Sequence, residues 1–350
     1  MSSPSSVASK PAAAPPVWLG ELLGGKLPPE GGELMVGGTP YVRSDGVLRA
    51  RGLLLSPAQG NTERSFSYLW SGRDRFQSDG HLATLGEWYR SMYGDADAAP
   101  WWREYGEWPL LVDAGCGAGL SALALFGDRL HRTRYLGVDI STSVDAAAER
   151  FAAKGIAAGV VQASLMELPL PDGSVDVIFS QGVLHHTDST RGAILALAPK
   201  LRPGGRLLFY VYRRKGPIRE FTDDYIRARL QDLSPDAAWQ ALMPLTRLGR
   251  ALGELRVEIE VPEAIELLGI PAGRIDLQRL LYWHFCKMFH HPDWGIDELN
   301  HVNLDWYLPA NAHRQTPEEV RGWCAEAQLV IEHEHLQESG ITVIARRSDA

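Results

Sequence analysis

The 350-residue chain is 45% hydrophobic and 22% charged, enough for one large or two ordinary domains with a buried core. No run reaches the ~18 consecutive apolar residues of a membrane span, and the opening MSSPSSVASKPAAAPPVW holds no apolar stretch of signal-peptide length, so a cytoplasmic protein is expected. Its 35 Lys plus Arg against 43 Asp plus Glu (formal charge -8) argue against a nucleic-acid partner, and its three scattered cysteines, Cys116, Cys286 and Cys324, read as free thiols rather than a disulfide framework or zinc site.

Residues 1–16, rich in Ser, Ala and Pro, are expected as a disordered tail. Residues 17–79 read as an appendage of short strands or loops, punctuated by glycine in GGTPYVRSDGVLRARGLLL. Leu82, Leu85, Trp88, Tyr89 and Met92 then mark a helical stripe over 80–94. From about 109 to 212 short apolar runs alternate with helix-period text. The strands are LLVDA, RYLGVDI (134–140), AGVVQA (158–163), VDVIFSQ (175–181) and GRLLFYVY (205–212), and the helices are Ala118–Phe126, Ser143–Ala153 and Ser189–Leu201. Strands separated by helices require crossovers and a parallel sheet covered on both faces. The basic cluster Arg213, Arg214, Lys215 and Arg219 reads as a solvated strand end. Residues 213–312 form a helix-leaning insertion too long for a loop, and 313–350 carry a capped helix from Thr316 and two strands, LVIEHEHL and ITVIARR, in hairpin range. The expected fold is a doubly wound, mostly parallel α/β sheet of seven strands with an antiparallel last strand, a helical insertion and an N-terminal appendage.

The first strand runs into Asp113-Ala114-Gly115-Cys116-Gly117-Ala118-Gly119, a glycine turn at the carboxyl edge of the sheet where such folds bind ligands. A dinucleotide fingerprint would need glycine at 120, which is Leu120, and would bring a pyrophosphate towards Asp113. A nicotinamide dehydrogenase is therefore disfavoured. Asp113 points to a cationic ligand, and Asp139, twenty residues after Gly119, stands where a ribose diol is hydrogen-bonded. A ribose with positive charge and no phosphate describes S-adenosylmethionine (SAM).

With these residues in place, the segments VDAGCGAG, GVDIS, LMELPLPDGSVDVIFSQGVLHH and LRPGGRLLFYVY resemble the class I SAM-dependent methyltransferases over about 30% of the chain, and the C-terminal segment is similar to that of small-molecule members. The resemblance implies Asp113, Gly115, Gly117 and Gly119 around the methionine half of SAM, Asp139 on the ribose and Ile140 against adenine. Ser164, where many members carry an acid, would meet the adenine amino group with Leu165 beside it, and Gln181 would face the methionine end and the acceptor. GGTPYVRSDGVLRA faintly resembles half of a zinc-ribbon module that accompanies some relatives, without its cysteines, and Ser65–Trp70 would fold over the cofactor.

Methyl transfer needs a nucleophile held in line and, for a protonated acceptor, a base. His185 and His186 are the candidates for that base, with capping or packing as the plain alternative. The insertion concentrates Tyr282, Trp283, His284, His290, His291, Trp294, His301, Trp306, Tyr307 and His313, suited to an aromatic pocket or to the core of a lid. His290-His291-x-Asp293 is a weak metal cluster, and no metal is expected. The resulting expectation is methyl transfer from SAM to an oxygen or nitrogen of a small molecule. The alternative is a catalytically silent SAM-fold binding or regulatory subunit.

Overall fold

The computed structural model describes residues 14–70 and 79–349. Most of the tail expected over 1–16, and the end of the appendage at 71–78, lie outside them. Helix α1 (Val17–Leu22) is followed by strands β1 (Glu33–Val36), β2 (Thr39–Ser44) and β3 (Val47–Ala50), then helices α2 (Pro57–Trp70) and α3 (Asp79–Tyr93). The α/β core runs β4 (Leu110–Ala114), α4 (Leu120–Phe126), β5 (Arg134–Asp139), α5 (Val144–Ala153), β6 (Gly159–Gln162), β7 (Val175–Gln181), α6 (Thr190–Leu197) and β8 (Leu201–Tyr212). The insertion comprises α7 (Pro217–Leu230), α8 (Pro235–Leu255), the hairpin β9 (Glu258–Val261) and β10 (Gly273–Asp276), α9 (Leu277–His284) and α10 (Ile296–Tyr307). Helix α11 (Pro317–Glu326) and strands β11 (Leu329–Leu336) and β12 (Gly340–Arg347) close the chain. Among the described residues no helix is long and apolar enough to cross a membrane.

Among the described residues ten strands form one sheet in the order β1-β2-β3-β6-β5-β4-β7-β8-β12-β11, and β9 pairs with β10 apart from it. Strands β3 to β8 pair in parallel, while β12 lies antiparallel between β8 and β11. The expected seven strands are the stretch from β6 to β11. The sheet has ten because the N-terminal meander adds its own three on the β6 edge. That junction is short, Leu48 opposite Val161 and Arg49 opposite Gln162, and is reinforced where Arg49 donates to Gln162 (3.0 Å) and pairs with Asp145. The N-terminal segment is thus an extension of the core sheet, with Tyr41 and Leu48 buried in the same cluster as Val112 and Leu136.

Both sheet faces are covered, as buried parallel strands require. One face packs Phe179 and Leu208 against α3, Phe126 of α4 and the insertion; the other packs Val112 and Ile178 against Ile194 and Leu197 of α6 and Val320 and Cys324 of α11. Thr316 caps α11 by accepting from the Glu319 amide (3.2 Å), and the Glu319 carboxylate accepts from the Thr316 amide (2.7 Å), the reciprocal box visible in the sequence. The order of strands reverses between β4 and β7, and the crevice at such a switch point is where open α/β sheets hold ligands.

Candidate functional site

Every residue of β4 is buried, and the chain leaves it through Gly115, Gly117 and Gly119 at φ +87°, +50° and +78°, a backbone region that glycine enters without steric penalty. A Cβ on Gly115 would fall 2.3 Å from Val183 Cγ1, and one on Gly119 would fall 2.5 Å from Phe151 Cε2. These two glycines let the turn pack down on its neighbours. A Cβ on Gly117 would meet only the Trp70 indole nitrogen, at 3.8 Å, and would otherwise stand in open space beside a cavity of about 510 Å³. Gly117→Ala should therefore fold with a small loss of melting temperature yet bind S-adenosylhomocysteine (SAH) about tenfold more weakly. Gly119→Ala should lose far more stability. Calorimetry and thermal melts on the pair check this, and equal behaviour of the two variants would contradict it.

The two acids occupy different places. Asp139, at the end of β5, borders the cavity; its Oδ2 accepts from the Gly117 amide (2.8 Å) and its Oδ1 from the Ser141 amide (2.8 Å) and hydroxyl (2.6 Å). Burial raises its pKa, and those hydrogen bonds pull it back. Asp113 is 1% exposed and lies behind the turn, outside the cavity wall, where it accepts from the Tyr135 hydroxyl (2.8 Å). Burial pushes it up to about 7, opposed by the Tyr135 hydrogen bond and assisted by the Asp139 charge. The expectation of a direct Asp113 contact with ligand is corrected on this point, since the strand pleat turns its side chain into the core.

Ile140, Ser164, Leu165 and Gln181 border the same cavity as Gly115, Gly117 and Asp139. Gly119, turned towards Phe151, does not. Ser164 caps the short turn Leu165–Glu167, accepting from the Met166 amide (3.2 Å). Gln181 accepts from the Tyr93 hydroxyl through Oε1 (2.7 Å), which leaves its amide hydrogens for a ligand.

The histidine pair divides as well. His185 is fully buried, its ring 3.7 Å from that of Tyr212, and neither of its nitrogens has a hydrogen-bond partner. It does not border the cavity, so its expected role as a base is corrected: the tight turn Leu184–His186 sends the adjacent side chains different ways. His186 does border it. Its Nδ1 lies 2.6 Å from the Asn311 carbonyl, so Nδ1 carries the proton and Nε2 the lone pair. Burial pushes His186 down to about 3 and His185 well below its usual range.

Helix α2 spans the cavity, with Phe66 and Trp70 one turn apart on its inner face. Their rings lie 5.0 Å from His186 and 5.6 Å from His301. Leu85, Trp88 and Tyr89 of α3 and the insertion supply further walls. Tyr282, Trp283, Trp294, His301 and Trp306 border the cavity, whereas Tyr307, His284, His290, His291 and His313 do not. Among the described residues no three His, Cys, Asp or Glu side chains are grouped to hold a metal ion. Of the basic cluster after β8, Arg214 is exposed as a solvated strand end would be, but Lys215 and Arg219 are not. Lys215 and Arg219 border the cavity, and Arg219, 1% exposed, pairs with the equally buried Asp223 at 2.5 Å. Lys287 and Asp305 border it too and escaped the sequence reading, because isolated charges in a helix-leaning stretch carry no spacing signal.

A family profile described as a methyltransferase domain matches residues 112–209. Among curated proteins, the uncharacterized methyltransferase YcgJ of Bacillus subtilis is 30% identical over 173 residues, 47% of this chain and 67% of that protein. The O-methyltransferase resE of Aspergillus sclerotiorum is 34% identical over 100 residues (28% of this chain, 37% of that protein). The malonyl-[acyl-carrier protein] O-methyltransferase of Serratia marcescens is 29% identical over 150 residues (43% and 54%). The chain thus spans roughly a third to a half of the length of the last two. Among solved structures, the Burkholderia thailandensis 1,6-didemethyltoxoflavin-N1-methyltransferase aligns over 90% of this chain and 98% of its own at 13% identity, with a TM-score of 0.42.

Proposed function

This chain belongs to the class I SAM-dependent methyltransferases, and we propose that it transfers a methyl group from SAM to an oxygen or nitrogen of a small-molecule acceptor. The observation that carries this reading is one continuous cavity with two chemically different halves: the glycine turn, Asp139, Ile140, Ser164 and Leu165 on one side, and the aromatic and charged walls of the insertion on the other. A silent subunit that only held SAM would have no use for the second half.

The residues fit the cofactor. The space over Gly117 is open, Asp139 is fixed by two backbone amides with lone pairs to spare for a ribose diol, and the half-buried Ile140 and Leu165 offer flat apolar contact for an adenine beside the Ser164 hydroxyl. Gln181 directs its amide hydrogens at the methionine end. When bound, SAM supplies a methyl group on a positively charged sulfur. What the chain must add is alignment and the exclusion of water. Phe66 and Trp70 cover the crevice from α2, and the Tyr210 and Tyr212 rings line it from β8. Asp113 lies behind the turn and, raised by burial to about 7, carries only part of a negative charge at neutral pH.

Of the histidine pair after β7, His186 is the one able to touch an acceptor. With Nδ1 committed to Asn311, its Nε2 can take a hydrogen bond and so orient a nucleophile, but a group held near pKa 3 takes up a proton poorly. We therefore assign it orientation rather than general-base work. Removal of a true base lowers turnover ~100-fold to ~10,000-fold, whereas His186→Gln should lower it less than about tenfold. SAH binding by calorimetry, followed by SAH release in the presence of hydroxylated and amino-substituted aromatic compounds, tests the reading. A folded protein that binds no SAH would refute it, and a drop of ~100-fold or more in His186→Gln would restore the histidine as base.

A further inference from the structure

Lys287 stands in the segment between α9 and α10. It is 7% exposed, its ammonium makes no hydrogen bond or ion pair with any described residue, and it borders the cavity with the Trp306 ring 4.9 Å away. A lysine taken out of water without a partner is costly, so a ligand that completes its bonding would recover that energy. Its charged surroundings are Asp305 of α10 and Arg219, Asp223 and Arg227 of α7. Arg219 is neutralised by Asp223. Asp305 borders the cavity but makes no ion pair among the described residues. A second lysine, Lys215 just after β8, borders the cavity and has its ammonium on the backbone carbonyls of Glu338 and Ser339 and 5.6 Å from the Trp283 ring. Around the acceptor half Arg219 is balanced by Asp223, and Lys287 borders the cavity with Asp305 and Lys215, the last lowered by burial to about 7 and so only partly charged at neutral pH. The walls of this half are flat: Tyr212, Tyr282, Trp283 and Trp306 all border it. Rings of this kind favour a planar π-system between them.

We propose that the acceptor site takes a planar aromatic compound as its anion, with the negative oxygen against the Lys287 ammonium. The proposal rests on the methyltransferase reading and narrows its substrate class. It also removes the need for a strong base, since an acceptor bound as a phenolate or carboxylate has already lost its proton. Burial lowers Lys287 to about 8, which leaves it mainly charged at neutral pH.

The test uses 4-nitrophenol, whose neutral and phenolate forms absorb at different wavelengths, titrated against pH on the full-length protein with and without saturating SAH. The expected result is phenolate bound at least about tenfold more tightly than phenol, seen as a downward shift of the bound probe's ionisation. Lys287→Met should abolish that preference and Lys287→Arg should keep it, both with SAH affinity unchanged. Lys215→Met gives a smaller decrease and serves as the second variant should Lys287→Met fail to fold. No probe binding, equal binding of the two forms to the wild-type protein, or an unchanged preference in folded Lys287→Met would overturn the proposal. Failure of the methyltransferase reading shows differently, as wild-type protein that binds no SAH while still preferring the phenolate.

Discussion

Asparagine in place of Asp139 should weaken SAH binding by about a hundredfold or more. The carboxylate is a double acceptor by position: Oδ2 faces the Gly117 amide and Oδ1 faces the Ser141 amide and hydroxyl. An asparagine has one oxygen and one NH₂ group. Whichever way it turns, the NH₂ group points at a backbone N–H, donor against donor, in a site where unpaired donors cost about 1–3 kcal/mol each. Two losses then combine. The glycine turn is no longer tied to the end of β5, so the cradle of Gly117 loosens, and the ribose hydroxyls exchange a charge-assisted acceptor for a weaker neutral one. Calorimetry with SAH measures the outcome, with a thermal melt of the ligand-free protein to separate loosening of the turn from loss of ribose contact. An affinity within threefold of wild type would place the ribose elsewhere.

Asp139 could be found from the sequence because a local rule fixes it: a strand end, a glycine turn and an acid one strand later. Strands β4 to β8 were legible for a related reason, since strands buried on both faces are short, nearly unbroken apolar runs such as LLVDA and VDVIFSQ. What stayed hidden depends on contacts far apart in the chain. The β3–β6 junction rests on two residue pairs and a guanidinium reaching Gln162 and Asp145, so nothing within residues 17–79 announces that the segment continues the core sheet. The outer start of β8 at Leu201 lies ahead of Pro203-Gly204-Gly205, which read as a turn. Asp113 and His185 carried the right chemistry in the right motif, yet each side chain points away from the crevice, and that is decided by strand pleat and turn geometry rather than by residue type. The basic run after β8 misled for the opposite reason. Arg219 has its partner Asp223 four residues on, one turn of α7, and the pair is invisible as a buried unit until the insertion is seen to fold over it.

That buried pair makes Asp223 the residue whose loss should be felt most in stability. Asp223→Ala should lower the free energy of unfolding by about 3–5 kcal/mol, the usual consequence of removing one member of a buried ion pair and leaving the other uncompensated. Both side chains are 1% exposed, and the Asp223 carboxylate collects the Arg219 guanidinium (2.5 Å), the Trp306 indole N–H (2.9 Å), the Tyr307 hydroxyl (2.7 Å) and the Lys287 amide (3.1 Å). One side chain thus ties α7 to α10 and to the segment that presents Lys287. Alanine would take the acceptor away from three donors and leave the buried Arg219 guanidinium without its counter-ion. Replacing both partners with apolar residues of similar size, Arg219→Met with Asp223→Leu, should be milder than Asp223→Ala alone, because no unpaired charge remains. Urea denaturation compares the two variants, and a double variant as unstable as the single one would show that the other donors, not the stranded charge, dominate. The cofactor half is built from β4, β5 and β7, none of which contributes a partner to Asp223. SAH affinity should therefore fall much less than stability, whereas the phenolate preference assigned to Lys287 should disappear, since the amide that fixes its backbone would have lost its acceptor.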